Sequence, residues 1–218
     1  MNPPSNLLLV EGATEKRVIP ELMERRGVTW EPQPKNFAVT IREYGGFENM
    51  IAPNELEAAM KASGLKSLGF MFDCDGLHDT SNRLIQVQTR LRALGIEIPN
   101  PLPPEGFITK IPSEEIDFGV WMMPNNTDKG MLETFLINLV PESASSLYKY
   151  AVDCAEESKS HGATYKECHK HKALIHTFLA WLDEPGSQLH EAVKFKMLDT
   201  SEPYADSFSK WFRSLFSV

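Results

Sequence analysis

The chain has 218 residues, 42% of them apolar and 24% charged, which is ordinary for a globular protein and enough to bury a real core. Its formal charge of −8 excludes a protein that coats nucleic acid through a basic face, so a phosphate-bearing substrate needs a metal or a local basic cluster. No apolar run reaches the ~18 residues of a membrane span, the Met-Asn-Pro-Pro start carries no leader pattern, and Cys74, Cys154 and Cys168 form no disulfide framework. A cytoplasmic protein without membrane association is expected.

Leu7-Leu8-Leu9-Val10 is a compact apolar run that ends in Glu11-Gly12. Thr14 offers an N-cap, and Glu15 to Arg26 reads as a helix with Val18, Ile19, Leu22 and Met23 as its stripe and Gly27 as its stop. Residues 37–44 alternate and end in Gly45-Gly46, a second strand. A helix over 55–63, closed by Gly64, leads to the Leu65–Phe72 strand, then a helix over 81–94 closed by Gly95. Alternation of this kind argues for βαβ units and a mainly parallel sheet. Residues 107–111 and 118–123 add short strands, and 131–139 starts a helix carrying Glu133. Past Pro141 the patterns are all helical, at about 143–158, 166–182, 188–197 and 205–216. The expected organisation is therefore an α/β domain over 1–140 and a helical extension over 141–218 packed on it.

The chemistry concentrates where strands end. Asp73 and Asp75 follow the run Leu68-Gly69-Phe70-Met71-Phe72, two apart, so both side chains point to one side of an extended segment. Ligands of parallel sheets bind beyond such carboxyl ends. Paired carboxylates suit a hard divalent cation, which takes oxygen ligands from protein, water and phosphate. Glu11 ends the first strand in the same way, so the three carboxylates converge if the two strands are neighbours. Glu15 lies one turn along; its alternative role is to interact with the helix dipole.

Leu-Leu-Val-Glu-Gly-x-x-Glu after one strand, Gly-Gly after a second and Phe-Asp-x-Asp-Gly after a third resemble a TOPRIM domain over roughly residues 5–140. This is the metal-binding α/β domain of topoisomerases, primases and overcoming-lysogenization-defect (OLD) nucleases. The chain looks most like the compact, stand-alone OLD-like TOPRIM proteins, whose own activity is largely undefined. The resemblance implies that Glu11 is a metal ligand or general acid/base and that Asp73 and Asp75 hold Mg²⁺ or Mn²⁺. It also implies that Glu15 is a second acidic position and that Glu133 contributes to the metal site. OLD nucleases carry an ATPase domain, whereas this sequence has no Gly-x-x-x-x-Gly-Lys-Ser/Thr loop, so an ATPase would have to be a separate partner.

The expected function is metal-dependent phosphodiester chemistry, cleavage of nucleic acid first, with Glu11 and Glu15 as catalytic groups. Gly12, Gly45, Gly46, Lys170 and Lys172 are the candidate substrate-binding positions. A second reading is a regulatory module that uses the metal site to hold a nucleotide or nucleic-acid end without cutting it. A third starts from Phe72-Asp73-Cys74-Asp75-Gly76, which also resembles the nucleophile motif of haloacid-dehalogenase-type phosphatases, although Leu77 stands at the usual Thr position. Cys154, Cys168, His169 and His171 lack zinc-site spacing. Trp121, Trp181 and Trp211 read as core residues, because base stacking would require them exposed. Oligomeric state is left open.

Overall fold

The computed structural model describes residues 5–30, 38–74, 80–111 and 113–218, the side chains of 80–82 excepted. The apolar runs become five strands: β1 (Asn6–Val10), β2 (Thr40–Glu43), β3 (Ser67–Asp73), β4 (Phe107–Ile111) and β5 (Ile116–Met123). They form one sheet in the order β2-β1-β3-β5-β4. The first four in that order are parallel, and β4 returns antiparallel on β5. The helices are α1 (Ala13–Arg25), α2 (Phe47–Met50), α3 (Pro53–Met60), α4 (Thr80–Arg92), α5 (Leu132–Ile137), α6 (Ser145–Glu157), α7 (Lys170–Leu179), α8 (Leu189–Lys194) and α9 (Asp206–Phe216). This is the expected Rossmann-like α/β architecture, a mostly parallel sheet flanked by helices, with helices alone after the sheet.

The two-residue period of the strands sorts the core into two layers. Leu8, Val10, Met71, Trp121 and Met123 pack with α1 and with α5 to α9. Leu7, Leu9, Leu68, Phe70, Phe72, Phe118, Val120 and Met122 pack with α2, α3 and α4. Asp73 has the parity of Met71, so it faces the first layer. The segment past Pro141 shares that layer's core: Phe178, Phe208 and Phe212 belong to the same cluster as Leu8 and Trp121.

Two glycines let α9 lie directly on the sheet. Gly69 and Gly119 are paired across β3 and β5. A Cβ at Gly119 would sit 2.6 Å from Leu215 Cδ2, and one at Gly69 would sit 2.8 Å from Phe216 Cζ. Over this notch Trp121 meets Phe208 edge-on at 5.2 Å and Trp211 at 5.6 Å. Trp211 Nε1 donates to Phe107 O at 3.2 Å. Aromatic burial on this scale contributes about 1.5–3 kcal/mol per side chain.

Three local expectations are corrected. The N-cap of α1 is Gly12, not Thr14, because the Glu15 carboxylate reaches back to accept the Gly12 N–H at 3.0 Å. A one-turn helix, α2, follows Gly46 where no helix was expected; at four residues it is too short for a periodic signal. Trp181 is not core: it is 41% exposed and rests on the exposed ring of Tyr150 at 5.4 Å. No described helix is long and apolar enough to cross a membrane.

Candidate functional site

The chain leaves β1 for β2 on one side and then crosses to β3 on the other, so β1 and β3 flank a topological switch point. Their register pairs Leu9 with Phe70, which brings the residues after Val10 beside the end of β3. Glu11 Oε1 accepts the backbone N–H of Asp73 at 2.8 Å. The same oxygen accepts Arg83 Nη1 at 2.9 Å, and that nitrogen also donates to Asp73 O at 3.0 Å. Charge-assisted bonds of this kind hold a carboxylate in one orientation. Arg83 is itself held from below, 4.6 Å over the Phe47 ring.

The loop after β2 closes on the same point, with Gly46 N–H donating to Glu11 O at 2.8 Å. Gly46 adopts φ 136° and Gly45 φ 68°, conformations that a side chain would strain. Gly12 caps α1 one residue past Glu11. The three candidate glycines therefore shape the turns around Glu11 through their backbone.

Asp73 is 9% exposed, and its Oδ1 accepts the N–H of Leu132 at 3.1 Å. Leu132 opens α5, where the first amides lack intrahelical partners. The approach of α5 depends on Gly130, whose N–H donates to Cys74 O at 3.0 Å. Its φ is 153°, and a Cβ there would lie 2.5 Å from Thr134 Oγ1, so only glycine fits. Thr134 Oγ1 in turn lies 2.7 Å from His171 Nδ1, which ties α5 to α7. Burial, then the Lys170 charge, lowers the His171 pKa.

This arrangement buries Glu133 in the first layer near Glu15. Burial raises the Glu15 pKa from its ordinary 4.5; bonds from its own amide and that of Gly12 oppose the rise, and repulsion from Glu133 adds to it. Lys172 Nζ stands 3.8 Å from Glu133 Oε1 and partly offsets the two acids.

The expected residues thus divide. Glu11 and Asp73 are hydrogen-bonded together at the strand ends, and Glu15, Glu133 and Lys172 form an adjoining electrostatic group. Lys170 instead pairs with Glu156 of α6 at 2.7 Å. Asp75, like His78 and Asp79, lies outside the described residues. Among the described residues no three His, Cys, Asp or Glu side chains group closely enough to hold a metal ion. The candidate donors are all carboxylate oxygens, the ligand type that a hard cation such as Mg²⁺ takes together with water and phosphate oxygens. Arg83, Gly130 and the Thr134–His171 pair were not foreseen. The one hint of Arg83 in the sequence was its place early in the helix that follows the Asp-x-Asp strand.

No curated protein and no solved structure matches this chain. A family model described as "Protein of unknown function (DUF3226)" matches residues 5–217, and the chain belongs to that family.

Proposed function

We propose that the protein carries out Mg²⁺- or Mn²⁺-dependent phosphodiester chemistry, with cleavage of nucleic acid as the reaction. One observation carries this reading: Glu11 and Asp73 meet at the carboxyl ends of adjacent parallel strands, beside the switch point. Asp73 and Glu11 would hold the cation, with Asp75 as the further ligand expected from the sequence. A divalent ion at such a site polarises a scissile phosphate and lowers the pKa of a bound water.

The chain's own groups supply the rest. Arg83 fixes the Glu11 rotamer and balances its charge. Glu15, whose burial raises its pKa above the ordinary 4.5 and so strengthens it as a proton acceptor, would serve as general base in its ionised form. Glu133 would contribute a carboxylate from α5, next to the Asp73–Leu132 bond. Under the resemblance to TOPRIM proteins, any ATP-driven step belongs to a separate partner.

The test is isothermal titration of Mn²⁺ into the wild type and Asp73→Asn/Asp75→Asn, with cleavage of labelled DNA and RNA scored in parallel. Metal binding and product formation are both expected in the wild type and absent in the double variant. Undiminished Mn²⁺ affinity in that variant would refute the site assignment. Binding without product on any nucleic acid would establish the regulatory module instead. Hydrolysis of a phosphomonoester through an acyl phosphate on Asp73 would establish the phosphatase.

A further inference from the structure

A cleft of about 520 Å³ opens beside this site, between α1, α5, α7 and the chain leading into α8. Its size falls within the ~300–1,000 Å³ typical of small-ligand sites. Its polar lining includes Arg17, Glu133, Lys172, His176, Gln188 and His190. Two permanent cations thus share this lining with Glu133, which Glu15 adjoins, in a chain whose formal charge is −8. Three separate elements supply the basic groups: Arg17 from α1, Lys172 and His176 from α7, His190 from α8. Lys172 and His176 stand four residues apart, one turn along the same face of α7.

The cations are positioned by different partners. Arg17 Nη1 donates to Gln188 Oε1 at 2.9 Å, and both residues line the cleft. Lys172 Nζ lies 3.8 Å from Glu133 Oε1. Desolvation, then the Lys172 charge, lowers the His176 pKa. His176 therefore enters as a neutral hydrogen-bonding group near pH 7. Ala13 and Thr14, in the first turn of α1, line the same cleft.

We propose that this cleft is a phosphate subsite that holds a nucleotide phosphate next to the carboxylate site, with Arg17 and Lys172 as its anion-binding side chains. The inference rests on the phosphodiester reading and names where the substrate's flanking phosphate is held. Glu133 is common to both sites: it lines the cleft and adjoins the Glu15 carboxylate.

The experiment is fluorescence anisotropy in EDTA at low salt, which reads phosphate binding without metal loading or turnover. The probe is a labelled oligothymidylate bearing a 5′-phosphate, with its 5′-hydroxyl counterpart, AMP and inorganic phosphate as competitors. The proteins are the wild type, Arg17→Gln, Lys172→Gln, the double variant and Asp73→Asn/Asp75→Asn. Arg17 and Lys172 are exposed, so the fold is retained, as circular dichroism would verify. The double variant is expected to bind at least about tenfold more weakly and to flatten the log–log salt dependence by about 1 to 2. The aspartate variant is expected to bind like the wild type. Competition by AMP at parity with the oligonucleotide assigns the subsite to a single nucleotide phosphate, and much weaker competition assigns it to a strand. No binding by the wild type, or equal binding by the Arg17/Lys172 double variant, would overturn the subsite. Loss of Mn²⁺ binding or cleavage bears only on the carboxylate site, so the two readings fail separately.

Discussion

The two helical layers contribute to the strand ends in different ways. The layer of α2, α3 and α4 comes from chain lying between β2 and β4, and it supplies Arg83 and its Phe47 support. The layer of α1 and α5 to α9 joins the first helix to the last, and it supplies Glu15, Glu133 and Lys172. The Glu11 carboxylate is bonded to the former layer through Arg83, which also reaches the Asp73 backbone carbonyl, whereas the Asp73 carboxylate is bonded to the latter through the Leu132 amide. The candidate site is therefore a seam: each layer reaches one of the two strand-end carboxylates, and the Asp73 N–H to Glu11 bond joins them. A seam of this kind can be perturbed from either side.

The largest expected effect is on the first layer's stability. Trp211→Ala removes a side chain that is 2% exposed and contacts Trp121, Phe208 and Phe216. It should cost about 3–5 kcal/mol in chemical denaturation. Gly119→Ala, which drives a methyl into Leu215, should cost about 1–3 kcal/mol through overpacking. If Gly119→Ala were neutral, α9 would not lie directly on the sheet as described.

From the second layer, Arg83→Met should leave the fold in place while freeing the Glu11 carboxylate to reorient. The expected loss in metal affinity or cleavage rate is about 10- to 100-fold, typical for a residue that orients a ligand. Asp73→Asn should retain the Leu132 bond, since an amide oxygen still accepts it, yet lose metal binding. Equal retention of metal affinity in both variants would dissociate the seam from the chemistry.

The buried acid of the first layer gives a pH-dependent prediction. The folded pKa of Glu15 lies above its ordinary 4.5, so the fold favours the protonated form. Its burial is best tolerated below that value, and stability falls as pH rises from 4.5 through the raised pKa. Glu15→Gln keeps an oxygen to accept the Gly12 N–H and removes the charge. Its Tm advantage over the wild type should therefore be absent near pH 4 and grow toward pH 7, with cleavage lost at the same time. A constant Tm difference across that range would show that burial does not raise the Glu15 pKa.

Much of this seam could be read from the sequence because strands announce themselves. Apolar runs ending in Glu11-Gly12 and Asp73-Cys74-Asp75-Gly76 fixed two strand ends, and parallel pairing made their convergence a geometric expectation. What stayed hidden depends on which helix approaches which strand end. Arg83 sits in a helix rich in polar residues, where no periodic signal distinguishes a buried guanidinium from a solvated one. Gly69 and Gly119 look like breaks in apolar strands until α9 is seen to lie on them. Trp181 resembles Trp121 and Trp211 in sequence, and only its place past the end of α7 leaves it against Tyr150 in solvent.

The smallest expected effect separates two lysines that look equivalent in sequence. Lys170 and Lys172 stand two residues apart on α7, so they point roughly 200° apart around the helix. Lys170 turns to Glu156 on α6, an exposed pair of the kind that contributes little to stability. Lys172 turns to Glu133 in the cleft. Lys170→Gln should accordingly leave metal affinity, cleavage and phosphate binding unchanged. Lys172→Gln should weaken phosphate binding and push the Glu15 pKa further up, because the ammonium that opposes the rise is gone. The pH profiles of the two variants, measured side by side, isolate the cleft-facing side of α7 from its solvent side. If Lys170→Gln shifted the profile as far as Lys172→Gln, the charge felt at Glu15 would be a diffuse property of α7 and not the work of the one lysine that faces Glu133.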